Sequence, residues 1–187
     1  MSGAPKRAAG SFVAMLRGIN LGNHNRMKME DLRSLVTGCG YEEPRTYLQS
    51  GNVVFRGAGR AESAAKALEE AITHELGLSV PVVARSASQL RKVLESNPMI
   101  AAGGDPTKLH VTFLARRPSA EALRKLAANK IASRRDRFEL IGTEVFLECP
   151  SGYGTTSYDN GFFERNLATV ATTRNWRTVC ALAEMAA

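Results

Sequence analysis

The sequence predicts an α+β fold: a tandem duplication of a ferredoxin-like β-α-β-β-α-β unit, each copy followed by an extra helix. Three observations predict it. Short apolar runs alternate with stretches of helical spacing, in the order strand, helix, strand, strand, helix, strand. The paired strands of each half flank a turn signal, Ser50-Gly51-Asn52 in the first and Gly142-Thr143 in the second. Seven elements then recur in the same order after a segment rich in Gly, Pro and small residues.

Taken in order, Phe12 to Arg17 is an apolar run short enough for a buried strand. Met29, Leu32, Leu35, Val36 and Cys39 recur at helical spacing, with Gly38 and Gly40 as the stop. Thr46 to Gln49 and Val53 to Arg56 are strands. Ala65, Leu68, Ile72 and Leu76 mark a second helix ended by Gly77, and Val80 to Ala84 is a strand in which Pro81 suits an edge or a strand start. Leu90, Val93 and Leu94 mark a short helix stopped by Asn97-Pro98. In the second half Leu109 to Leu114 is a strand, and Ser119 caps a helix through Leu123, Leu126 and Ala127. Phe138 to Ile141 and Val145 to Cys149 are strands, Phe162 to Leu167 a short helix and Thr169 to Thr173 a strand. Asn175 caps a last helix with Trp176, Val179, Cys180 and Ala183 on one face. The expected organisation is a flexible segment over 1–10, a first half over 11–97, a linker over 98–107 and a second half over 108–187.

Composition bounds the function. The chain has 187 residues, 44% hydrophobic and 23% charged, with a formal charge of +7. A chain of this size buries roughly 70% of its unfolded surface and needs no disulfide or metal to hold a core. No segment approaches the ~20 apolar residues of a membrane span, and the apolar run from Phe12 to Leu16 is too short for a signal peptide. The three cysteines, Cys39, Cys149 and Cys180, are unpatterned and read as buried thiols in a reducing cytosol. The histidines His24, His74 and His110 have no metal-ligand spacing, so no metal and no cofactor are expected. His74 and His110 read as ordinary, partly buried histidines.

In this topology the loop after the first strand and the hairpin between the second and third strands share one end of the sheet. The first half thus gathers Arg17, Asn20, Asn25, Gln49, Ser50 and Asn52 near a helix N-terminus, a setting that suits an anion. The loops after the third and fourth strands meet at the opposite end. In the second half that brings Tyr153, Thr155, Thr156, Ser157, Arg174 and Asn175 together. The alternative for both clusters is a turn-rich loop that satisfies its own backbone.

Basic and acidic groups number 13 and 9 over residues 1–97 and 12 and 9 over 98–187, so no basic tail exists. The stretch from Arg116 to Arg137 is denser. Arg116, Arg117, Arg124, Lys125, Lys130, Arg134, Arg135 and Arg137 face only Glu121 and Asp136, and such a patch attracts polyanions; a solvated helix face is the alternative. Aromatics are 6% of the chain, too few for a base-stacking platform.

The runs LRGINLGN from Leu16, MEDLRSL from Met29, TYLQSGNVVF from Thr46 and NGFFERNLATVATTRNWRTV from Asn160 together resemble the bacterial family catalogued as domain of unknown function 1697. The resemblance implies a cytosolic bacterial protein with a duplicated ferredoxin-like fold and no established activity. Its motifs fall on Arg17, Gly18, Asn20, Gly22, Ser50, Gly51 and Asn52, and on Asn160, Arg174, Asn175 and Trp176. One departure stands out: where the family pattern often carries a Ser-Lys pair, this chain has Thr156-Ser157.

The expected function is binding of a phosphate-bearing or other anionic ligand, a nucleotide or nucleic acid, at the loops around Arg17 and Arg174 or on the basic patch. The alternative is a small-molecule enzyme using the same loops, with His24, Asp159 or Tyr153 as its only general-base candidates. A third class is an interaction module that pairs through an open sheet edge. No membrane partner is expected.

Overall fold

The computed structural model describes residues 9–22, 25–130 and 135–187. The chain divides into two compact units. Unit 1 runs to Arg91 and also takes Leu182–Ala187, and unit 2 is Lys92–Ala181.

Unit 1 holds a four-stranded antiparallel sheet of β1 (Gly10–Leu16), β2 (Glu42–Tyr47), β3 (Asn52–Gly57) and β4 (Val82–Ser86), in the order β2-β3-β1-β4. Helices α1 (Met29–Gly38) and α2 (Ala61–Leu76) lie on one face. Side chains alternate across a strand. Phe12, Ala14 and Leu16 of β1, with Val53, Phe55, Val82 and Ala84, therefore pack against Leu32, Val36, Leu68 and Ile72 of the helices. Gly77 ends α2 in the left-handed conformation and donates to the Thr73 carbonyl, the stop expected from the sequence. Helix α3 (Ala87–Glu95) follows β4 directly.

Unit 2 repeats the sheet order with β5 (Leu109–Leu114), β6 (Arg137–Ile141), β7 (Glu144–Glu148) and β8 (Ala171–Asn175), arranged β6-β7-β5-β8. Helices α5 (Ala120–Ala128) and α6 (Asn160–Leu167) supply Leu126, Phe162, Phe163 and Leu167 to a core with Leu114, Val145, Leu147 and Ala171. Tyr158 is fully buried there, with Phe138 edge-on at 4.8 Å and Phe162 at 5.1 Å. Helix α7 (Trp176–Ala186) follows β8.

The two sheets can be compared position by position through their registers. Val13 pairs with Val54 and Arg85 in unit 1, and Val111 pairs with Phe146 and Arg174 in unit 2. Arg85 and Arg174 thus hold equivalent places, both buried. Each donates from Nη1 to the carbonyl of the residue before it, Ala84 or Thr173, at 2.9 Å.

Several element bounds differ from the sequence reading. Strand β2 begins at Glu42, because a bulge between Glu42 and Arg45 absorbs Pro44 and a left-handed Glu43. Strands β4 and β8 both sit two residues later than the apolar run suggests. The segment expected to be an irregular linker holds helix α4 (Pro98–Ala101), capped by Asn97 Oδ1 on the Met99 and Ile100 amides, and a 3-10 turn over Pro106–Lys108. Met99 is buried, so this segment contributes to unit 2.

Candidate functional site

At one end of unit 1 the β1–α1 loop meets the β2–β3 hairpin. Leu16 N–H donates to the Gly51 carbonyl and Arg17 N–H to the Pro81 carbonyl, both at 2.8 Å. Asn20 is left-handed at φ 53° and serves as a cross-brace. Its Nδ2 donates to the carbonyls of Met27 at 3.0 Å and Gln49 at 2.8 Å, and its Oδ1 accepts from Met27 N–H at 2.9 Å. Asn25 donates to the Gly18 carbonyl at 3.1 Å. Asn52 is fully buried and donates to the Tyr47 carbonyl and to Ser50 Oγ. The structure brings the β1–α1 loop and the hairpin residues named from the sequence to one end of the sheet. Their amides, however, are spent on the loop's own carbonyls, so the groups suited to an anion here are cationic: half-buried Arg17 and exposed Arg26 and Lys28. Helix α1 begins without a side-chain cap, which leaves its first amides facing the same loop. His24 lies outside the described residues.

The second cluster assembles differently. Arg174 is a strand residue rather than a loop residue, because β8 extends to Asn175. It follows Thr173 in the strand and so faces the other side of the sheet, donating to Thr172 Oγ1 at 2.8 Å. Burial draws its guanidinium down to about 10, with nearby Tyr153 opposing the shift, so it remains charged at neutral pH. Of the β7–α6 loop hydroxyls expected beside Arg174, Tyr153 lies near enough to act on its guanidinium. Asn175 caps α7 as expected, its Oδ1 accepting from Thr178 N–H at 2.8 Å. Thr156 accepts from Tyr158 N–H, Ser157 is exposed, and Asp159 caps α6 through Phe162 N–H at 2.7 Å. The structure thus gives Asp159 a capping role through Oδ1.

What the β7–α6 loop does bring together is Tyr153 and Asn160 with residues the sequence reading leaves outside the cluster, His110, Thr112 and Thr173. Tyr153 Oη donates to Thr173 Oγ1 at 3.0 Å, and Thr173 donates to Asn160 Oδ1 at 2.7 Å. Thr112 and Thr173 share a 2.6 Å hydrogen bond across β5 and β8. The His110 ring stacks on Tyr153 at 5.0 Å, with Nδ1 3.3 Å from the Lys108 carbonyl. Burial raises the Tyr153 hydroxyl, the Thr173 bond working against it, and burial lowers the His110 imidazole. The sequence carries the signal for this set as a difference between the halves. The registers place Phe12, Ala14 and Ala84 of unit 1 where unit 2 has His110, Thr112 and Thr173. The connection also grows from three residues after β3 to eleven after β7.

The buried, neutral His110 makes a pH prediction. Its folded value lies below the ordinary 6.5, so the unfolded chain binds the proton more readily. The contribution is fully present above pH 6.5 and is lost as pH falls through the lowered folded value. Urea midpoints measured downward from about pH 7.5 should therefore decline once the pH drops below the ordinary histidine range. His110→Phe, the residue found at the matching place in unit 1, should flatten that part of the profile. An equal decline in the variant would remove His110 as its cause.

The basic stretch of unit 2 is partly committed. Arg137 pairs with Glu148. Lys130 lies 5.3 Å from the Phe138 ring centroid. Arg116 donates to the Ala168 carbonyl at 3.2 Å and Lys125 to the Arg165 carbonyl at 2.9 Å, both near the C-terminal end of α6, where a helix favours cations. Arg116, Arg117, Arg124, Lys125, Lys130, Arg135 and Arg137 are nonetheless all exposed, and α6 adds an exposed Arg165 that the linear run does not contain. Arg134 lies outside the described residues. Cys149 is buried, its thiol pushed up to about 11 by burial, and Cys39 and Cys180 are half-buried and also raised, so none is an activated nucleophile. Among the described residues no group of three or more His, Cys, Asp or Glu is placed to hold a metal ion. No described helix is long and apolar enough to cross a membrane.

No curated protein matches the chain. Among solved structures it is similar to the conserved bacterial protein SP0830 from Streptococcus pneumoniae, at 20% identity and a TM-score of 0.75, over 96% of this chain and 100% of that one. That likeness is one of fold. The family described as "Protein of unknown function (DUF1697)" matches residues 10–146, from β1 into β7, which includes the Arg17 loop, the hairpin and the basic stretch. The chain belongs to the DUF1697 family of proteins of unknown function.

Proposed function

We propose that the protein binds a phosphate-bearing polyanion, a nucleic acid, through the cationic face of unit 2. One observation carries the reading. Packing of α5 on α6 adds Arg165 to Arg116, Arg117, Arg124 and Lys125, an exposed surface on which the one acid of α5 is Glu121. The large hydrophobic side chains exposed among the described residues are all aliphatic, so no fully exposed aromatic ring offers bases a stacking face. Recognition then rests on the phosphate backbone, without sequence preference. The Arg17 end of unit 1 is the smaller anion site on this reading, because its asparagine side-chain amides are already engaged.

The test is anisotropy of labelled single- and double-stranded oligonucleotides across a salt series. Log affinity should fall with log salt by roughly 0.9 for each duplex phosphate neutralised. The two forms should bind similarly, and Arg117→Glu with Arg124→Glu should weaken both. Absence of binding at low salt would overturn the proposal. A second reading, a small-molecule site beneath the β7–α6 loop, is favoured by the polar side chains of unit 2 at places where unit 1 is apolar.

We also read the two units as a tandem ferredoxin-like duplication in a bacterial cytoplasmic protein. The shared strand order, the matched registers and the equivalent Arg85 and Arg174 support the duplication.

A further inference from the structure

Unit 1 carries an apolar knob and, between its two helices, an apolar groove of opposite charge. The knob is Leu21 in the β1–α1 loop, 63% exposed, and Leu48 in the hairpin, 56% exposed. The Asn20 bond to the Gln49 carbonyl holds the two loops together. Leu48 stands at φ 58°, a conformation glycine or asparagine would adopt at lower cost. Backbone strain and an apolar side chain in water are both unfavourable, and their coincidence on one residue points to use outside the chain. Exposed Arg26 and Lys28 accompany the knob on the same loop.

The groove has a volume of about 390 Å³, within the range of clefts that hold a ligand. Leu35, Ala71 and Leu76 give it apolar walls, and Asp31 and Glu75 give it two carboxylates. Among the described residues no lysine or arginine lines it. His74 approaches Glu75 at 2.9 Å. Copies of a chain with net charge +7 repel one another, so self-association requires a local reversal of sign, and this groove is one.

We propose that the Leu21–Leu48 knob of one copy seats in the α1–α2 groove of a second copy, with Arg26 and Lys28 set against Asp31 and Glu75. Knob and groove are different patches, so the contact is heterologous. Two leucines and two charge pairs fall well short of the ~1,200 Å² of a stable interface, so association is weak and salt-sensitive.

Sedimentation velocity on the full chain, from micromolar to millimolar concentration, tests this. The average mass should rise with concentration and fall back in high salt. Leu48→Gly relieves the strained backbone, so its fold is not at risk, and Glu75→Lys alters an exposed side chain. Each variant alone should stay monomeric where the unmodified chain associates. An equimolar mixture should associate again, because one variant keeps the groove and the other the knob. A monomeric wild type, variants that associate unchanged, or a mixture that stays monomeric would each overturn the proposal. So would anionic vesicles that capture the wild type but not Leu48→Gly, since the knob's occupant would then be lipid.

Discussion

Thr173→Val is expected to destabilise the protein by roughly 3 kcal/mol while leaving its shape unchanged. Thr173 is a three-way junction. It accepts from Tyr153 at 3.0 Å, shares a 2.6 Å bond with Thr112 and donates to Asn160 at 2.7 Å. Valine fills the same volume and makes none of these bonds. Thr112 is fully buried, and orphaning a buried polar group costs ~1–3 kcal/mol. Tyr153 and Asn160 are half-buried, so water recovers part of their loss. Urea unfolding measures the difference. Tyr153→Phe deletes a single bond and should cost about 1 kcal/mol. Equal costs for the two variants would show that Thr173 is no junction.

Gly51→Ala should cost about 3–4 kcal/mol, from two separate sources. The residue has φ 74°, which charges any Cβ ~1–2 kcal/mol. A Cβ there would also stand 2.6 Å from Ile19 Cδ1 and 2.8 Å from Leu16 Cβ. Both neighbours are buried and have little room to yield, so overpacking adds ~1–3 kcal/mol. Gly22 separates the two sources: its φ is 58° but no atom of the described residues lies within 4 Å of its Cβ position. Gly22→Ala should therefore cost about 1 kcal/mol. If both glycines respond alike to urea, the close approach at Gly51 carries no energy.

The elements are legible where one physical signal dominates. The continuous burial of β1 and β5, and the Leu32–Leu35–Val36 stripe of α1, are set by the same hydrophobic core that orders them. Strand β2 reads short from the sequence because its bulge hides the alternation, and Glu42 and Glu43 look like a loop. The two-residue shift of β8 has the largest consequence. Thr172 to Asn175 show no apolar alternation, yet the ladder with β5 runs on to Asn175. That extension turns Arg174 from an expected loop cation into a buried strand residue. The Arg17 cluster is legible as a neighbourhood, because topology alone brings the loops together. Its use of Asn20, Asn25 and Asn52 as internal braces is not, since amide direction depends on atoms distant in sequence. His110, Thr112 and Thr173 look ordinary singly and gain meaning only against Phe12, Ala14 and Ala84.

The discontinuity of unit 1 bears on how the chain is made. Its compact body takes in Leu182–Ala187, and the Arg45 guanidinium of β2 donates to the Met185 carbonyl at the end of α7. Translation delivers β1 to β4 early, but these closing residues emerge only after all of unit 2 has been synthesised. The nascent first half must therefore wait, its last partner missing, while the second half is completed. A stop codon or protease cut shortly before Leu182 would consequently weaken the half of the molecule farther away along the sequence.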